Sequence, residues 1–254
     1  MGVVNVTPDS FSDGGKFLAP GEAVAHAQRL LDEGADILDV GGESSRPGAE
    51  PVSEGDELER ILPVLKALKD FPLSVDTRRP SVMRAALAEG ASMINDIEAL
   101  QAPGALEAAA ASDCGVCLMH KKGDPANMQN SPQYGDVVRE VLNFLRERID
   151  ACESKGISKS RLAIDPGFGF GKTPEHNFRL LRELAAFTGF GVPVLAGWSR
   201  KSTLGTVTGR PVGERLAGSL AAALLALQGG ATILRVHDVK ETRDVVAVWE
   251  AWRK

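Results

Sequence analysis

A (β/α)8 TIM barrel, an α/β fold occupying residues 1–254 as a single domain with its first strand at the chain start, is what the sequence predicts from three observations. Short apolar runs alternate with longer stretches of helical spacing, the mark of repeated βα units on a parallel sheet. Eight such runs occur, at Gly2–Asn5, Ile37–Val40, Leu73–Asp76, Met93–Asn95, Val116–Met119, Leu162–Asp165, Val194–Gly197 and Ile233–Val236. The length of 254 residues suits the ~250 that one such barrel takes.

The helix ends are legible as well. Ser53 followed by Asp56 reads as a capping box, after which Leu58, Ile61, Leu62, Leu65 and Leu68 line one face. Thr173 caps a helix that Pro174 opens, with Phe178, Leu181 and Leu184 on its buried stripe. Gly34 and Gly90 are placed to end the helices before strands two and four. Met1 abuts the first strand with nothing ahead of it to close the barrel floor. Exposed apolar side chains there predict marginal stability or compensating oligomerisation.

Composition excludes several classes. With 43% hydrophobic and 25% charged residues the chain can build a sizeable core. A net charge of −5 leaves no footprint for nucleic acid or for an anionic membrane surface. No apolar run nears the ~20 residues of a membrane span, and the amino terminus lacks a signal pattern. The expected compartment is the cytoplasm. Met1-Gly2 opens like a myristoylation site, but Val6 stands where Ser or Thr is needed. The C-x-x-C at Cys114–Cys117 runs into an apolar strand rather than a helix amino terminus, so neither a redox pair nor a metal site is expected, and Cys152 reads as an ordinary helical cysteine.

In parallel barrels the active site lies at the carboxyl ends of the strands. Strand one ends in Asn5 and leads into the loop Thr7–Lys16, and strand two leads into Gly42–Val52. Both loops are long and polar, reading as lids or as connectors; Phe11 and Arg46 argue for ligand contact. Strands three, four and six end in Asp76, Asn95 and Asp165, each a helix cap or a functional group. Turned together into the mouth, they would be costly unless a ligand rich in N–H donors satisfied them. Strand five ends in Met119-His120, and the next loop, Gly167–Lys172, lacks Rossmann or P-loop spacing and reads as a tight turn setting Phe170 into the pocket.

Strand seven delivers Ser199-Arg200-Lys201-Ser202, which is either solvated turn chemistry or a ligand site in which Lys201 complements the two acids. Arg235 and His237 lie two apart on strand eight, before a helix starting near Val239. They read as an anion clamp or as surface partners of Asp238 or Glu241. Asn5 would hold a phosphate-borne Mg²⁺, an ion that takes few protein ligands.

Seven stretches in order then resemble the bacterial dihydropteroate synthases: Asn5–Gly15, Asp39–Gly48, Ser74–Thr77, Ile94–Ile97, Asp165–Lys172, Ser199–Ser202 and Arg235–Asp238. The resemblance implies that 6-hydroxymethyl-7,8-dihydropterin pyrophosphate condenses with p-aminobenzoate to 7,8-dihydropteroate and pyrophosphate. By matching position it implies a pterin set of Asp76, Asn95, Ile97, Met119, Asp165, Phe170 and Lys201. It implies a pyrophosphate set of Asn5, Ser45, Arg46, Arg235 and His237, with Mg²⁺ on Asn5. Phe11, Pro47, Phe170, Lys201 and Ser202 would shape the p-aminobenzoate pocket, with Asp13 near the reacting methylene. The catalytic set would be Asp13, Asp76, Lys201, Arg235 and His237, and the assembly a homodimer.

The chain departs from the family pattern at Ser45, where Thr is common, at Trp198, where Met is expected, and in the basic pair Lys121-Lys122. It carries no inserted Phe-Gly in the first two loops, which implies a sulfonamide-sensitive enzyme. A pterin-binding methyltransferase barrel of the corrinoid type would share the Asp and Asn residues but have no use for Lys201 beside Ser202. A non-catalytic pterin-binding barrel is the other alternative.

Overall fold

The computed structural model of the chain describes residues 1–7, 20–44, 52–123, 128 and 131–254. Eight strands follow in chain order: β1 (Gly2–Asn5), β2 (Leu38–Gly41), β3 (Leu73–Asp76), β4 (Met93–Asp96), β5 (Gly115–Met119), β6 (Leu162–Asp165), β7 (Leu195–Ala196) and β8 (Ile233–Leu234). The first six form one parallel sheet in sequence order, and β7 pairs with β8. Single bridges from Ile164 to Val194 and from Gly2 to Val236 close the ring into a (β/α)8 barrel. Boundaries expected at Val194–Gly197 and Ile233–Val236 shorten because Val194 and Val236 bond only as isolated bridges, while those expected at Ile37–Val40, Met93–Asn95 and Val116–Met119 become Leu38–Gly41, Met93–Asp96 and Gly115–Met119.

The helices that return the chain are α1 (Pro20–Asp32), α2 (Glu54–Ala67), α3 (Pro80–Ala88), α4 (Ala105–Ala110), α5 (Val137–Ser154), α6 (Pro174–Arg182), α7 (Ala185–Thr188), α8 (Ser202–Thr208), α9 (Leu216–Gln228) and α10 (Val239–Trp252). Ser53 Oγ accepts the Asp56 amide as expected, but the Asp56 carboxylate takes the Ser53 hydroxyl, so the reciprocal half of a capping box is not formed. A full box occurs at Thr173 and His176, opening α6. Gly34 and Gly90, both at φ 96°, turn the chain out of α1 and α3 in the left-handed conformation that other residues avoid.

Strand alternation sorts the side chains into two cores. Outward-facing Val4, Val40, Val75, Ile94, Leu118 and Ile164 merge with helix residues such as Ile61, Met83 and Leu145 in the main hydrophobic layer. Each fully buried side chain of this kind contributes about 1.5–3 kcal/mol. Inward-facing Cys117, Ala163 and Leu195 form a small separate cluster against which Met1, Met93 and Ile233 pack. Two residues further along their strands, Asn95 and Asp165 replace apolar by polar side chains, buried beside Asp39 and Ser74. The barrel interior is therefore apolar at its floor and polar toward its mouth. Cys114, Cys117 and Cys152 are free and buried, and burial raises the Cys117 thiol well above its usual range.

Candidate active site

The deepest part of the site is a charge relay across the barrel. Arg235, just beyond β8, donates through Nε to Asp39 Oδ2 at 2.6 Å and through Nη2 to Asp76 Oδ2 at 2.8 Å. Asn95 Nδ2 reaches the same oxygen of Asp39 at 3.1 Å. Burial pushes the Asp76 carboxyl up to about 7 even with Arg235 opposing it, and the neighbouring Asp39 charge adds to the rise. Burial works to lower Arg235, yet Asp39 and Asp76 outweigh it and hold the guanidinium above its ordinary range. Asp165 is likewise raised by burial, an effect opposed by the Gly167 amide at 2.7 Å and by the Lys201 charge.

One wall of the mouth comes from the glycine loop after β6. Gly167, Gly169 and Gly171 adopt φ of 72°, 82° and 63°. A Cβ on Gly167 would lie 1.8 Å from His120 O, and one on Gly169 would lie 3.2 Å from Lys201 Cδ. Glycine is thus what lets the loop press against its neighbours. The turn delivers Phe170 to Ile97, Met119 and Met128 as a small apolar cluster. Lys201 Nζ stands 4.2 Å from the Phe170 ring centroid, a cation–π distance. Beneath, the buried Lys172 Nζ meets His120 Nδ1 at 2.9 Å, Gly167 O at 2.9 Å and Phe170 O at 3.0 Å, tying the loops after β5 and β6 together.

The structure brings Asp76, Asn95, Asp165, Lys201 and Arg235 to the carboxyl-terminal end of the barrel, with Asn5 closing β1 there. It divides the residues of strand seven. Ser199 Oγ takes the His237 amide and meets His237 Nδ1 at 3.0 Å, while Arg200, at φ 59°, forms a two-pronged ion pair with Asp238. Ser202 opens α8 and is exposed. Arg235 reaches across to Asp39 on β2 and Asp76 on β3, while His237 meets Ser199. Asp238, an expected partner of theirs, goes to Arg200 instead.

Two of the departures from the family pattern, Trp198 and the pair Lys121-Lys122, take structural partners. Trp198 turns into the core, tilted against Phe168 at 4.8 Å and Phe178 at 5.5 Å. Lys121 pairs with Glu98, and Lys122 with the Gln133 carbonyl and Glu140. Phe11, Asp13, Ser45, Arg46 and Pro47 lie outside the described residues. Sequence reasoning missed Asp39, Lys172 and Met128 as parts of the site. Strict alternation on β2 marks Asp39 as an inward acid, whereas Met128 gives no signal because it arrives from a loop.

A family model described as "Pterin binding enzyme" matches residues 1–237. A curated dihydropteroate synthase of Haemophilus influenzae is 50% identical, over 99% of this chain and 92% of the relative. The solved Yersinia pestis dihydropteroate synthase, in complex with a sulfonamide drug, is 49% identical at a TM-score of 0.95, covering 99% of this chain and 93% of the other. The Xanthomonas albilineans enzyme, solved with 4-aminobenzoic acid, is 55% identical at a TM-score of 0.94, covering 99% and 92%. The chain belongs to the pterin binding enzymes and, among them, to the dihydropteroate synthases.

Proposed function

We propose that this chain joins 6-hydroxymethyl-7,8-dihydropterin pyrophosphate to p-aminobenzoate. The observation that carries the reading is the polar layer at the mouth: buried Asn95 and Asp165 with partly buried Asp76, Lys201 and Arg235, walled by Ile97, Met119 and Phe170. Asn95 Oδ1 is buried without a hydrogen-bond partner, a condition that a ring rich in N–H groups relieves. These residues form the pterin site. Lys201, Phe170 and Ser202 face p-aminobenzoate with Phe11 and Pro47, and Asn5, Arg235 and His237 face the pyrophosphate with Ser45 and Arg46.

In the reaction the C–O bond between the pterin methylene and pyrophosphate breaks, and the electron pair leaves with pyrophosphate. The resulting pterin cation is stabilised by Asp76 and Asp165, acting where the water-poor interior makes their charge count most. The arylamine nitrogen, already neutral near pH 7, attacks the methylene and releases a proton. Asp13 lies near that carbon in this reading. Holding the two reactants against each other supplies much of the rate.

Mg²⁺ fits this donor set as an ion brought by the substrate. Among the described residues no group of three His, Cys, Asp or Glu side chains could cage a metal, whereas Asn5 offers one amide oxygen. Bound there, the ion would neutralise charge on the departing pyrophosphate. The barrel acts as a single domain over residues 1–254, in the cytoplasm, as a homodimer, and is inhibited by sulfonamides that compete with p-aminobenzoate. Among the described residues no helix is long and apolar enough to cross a membrane.

Pyrophosphate release from the purified chain, given the dihydropterin ester and Mg²⁺ with and without p-aminobenzoate, tests the proposal. Release that requires the arylamine supports it. A folded protein that binds the ester but releases nothing would leave only a pterin-binding barrel.

A further inference from the structure

Asp39 is buried completely, lies on β2 and is absent from the site as read from the sequence. Its Oδ2 receives two donors from opposite directions, Arg235 Nε at 2.6 Å and Asn95 Nδ2 at 3.1 Å. A carboxylate paired with a guanidinium only accepts hydrogen bonds, so the atom of the Asn95 amide that faces it must be nitrogen. That fixes a choice an amide otherwise leaves open, since its two ends differ only in hydrogen bonding. Asn95 Oδ1 is then turned the other way, buried and without a partner.

We propose that Asp39 is a positioning residue that sets the amide of Asn95 with its oxygen toward the ligand, so that the site accepts an N–H donor there and refuses an acceptor. The selectivity arises one residue removed from the ligand. With the amide held, an acceptor placed against Asn95 meets a lone pair with no rotation available to relieve it, a penalty that discriminates strongly in buried sites. The same carboxylate steers Arg235, whose remaining bond to Asp76 brings β2, β3, β4 and the end of β8 into one network. The identity of the ligand as a dihydropterin rests on the function proposed above; the orientation of the amide does not.

Two measurements separate the two ideas. In the ligand-free protein, the side-chain N–H groups of Asn95, assigned by NMR with Asn95→Asp as reference, should exchange slowly, and Asp39→Asn should speed that exchange at least about tenfold. Unchanged exchange in Asp39→Asn overturns the proposal whatever the ligand is. In binding of the dihydropterin pyrophosphate, Asp39→Asn should weaken affinity about tenfold or more.

The exchanged pair Asp39→Asn with Asn95→Asp preserves net charge and restores a donor facing an acceptor, so it also guards against misfolding of a single variant. It should bind at least about tenfold better than Asn95→Asp alone. If Asp39 serves only as a counter-ion to Arg235, the exchanged pair will instead be weaker than either single change, which refutes the positioning role. Failure of the wild-type protein to bind the pterin ester would sink the synthase reading while the exchange experiment still decides the amide.

Discussion

A corrinoid-type methyltransferase barrel would have no use for Lys201 beside Ser202, and the lysine's ammonium sits over the Phe170 ring. Lys201→Ala is expected to lower kcat by about 100-fold or more while leaving affinity for the pterin ester within a few-fold. Unchanged turnover would count heavily against the synthase reading. Asp76 should impose a pH dependence, because burial lifts its carboxyl from 3.8 to about 7. If the ionised form stabilises the pterin cation, kcat/KM rises with pH through about 7, and Asp76→Asn removes that limb. Stability runs the other way. A carboxyl that binds its proton more tightly folded than unfolded favours the fold below pH 3.8, and this advantage is lost as pH climbs to about 7. Melting curves should show the wild type losing Tm relative to Asp76→Asn across that window and levelling off above it.

Among the elements, the glycine turn after β6 is the least replaceable. Gly167 combines φ 72° with a Cβ position 1.8 Å from the His120 carbonyl, so neither the turn nor the neighbouring strand end can absorb a methyl group. Gly167→Ala should cost about 3 kcal/mol or more, read from chemical denaturation, with pterin binding lost in parallel. Much of this level was legible in the sequence. Each of the eight apolar runs yields a strand, some with shifted ends: Asp76 and Asp165 close theirs as expected, while β4 runs one residue past Asn95 to Asp96, because period-two alternation is a local property and the last bonded residue is not. What local pattern does not carry is height around the barrel. The tilt of the strands decides that Arg235 reaches Asp39 and Asp76 while His237 meets Ser199, and no spacing within β8 contains that information. Likewise Lys172 ends a loop as any solvated lysine would, and only packing against the β5 end reveals the His120, Gly167 and Phe170 atoms waiting for it.

At the scale of the whole molecule, α9 and α10 pack on each other and expose Leu225, Val248 and Trp252, the last at 71%. Along α9, Ala217, Ala221 and Leu225 recur every four residues on the exposed side, a stripe that permits close approach of a second copy. Sedimentation should therefore report twice the 26.9 kDa of one chain, and Leu225→Glu should shift the protein to monomers. Retention of the larger mass by that variant would place the contact elsewhere.

The three tryptophans fall at opposite ends of this architecture. Trp198 is 2% exposed, leans on Phe168 and Phe178, and lies three residues from Lys201, whereas Trp249 and Trp252 stack at 5.0 Å near the end of α10. The molecule thus carries two optical gauges. Blue-shifted emission that iodide does not quench belongs to the wall behind the substrates and should change when pterin binds, while the red, quenchable component should respond to the association of chains.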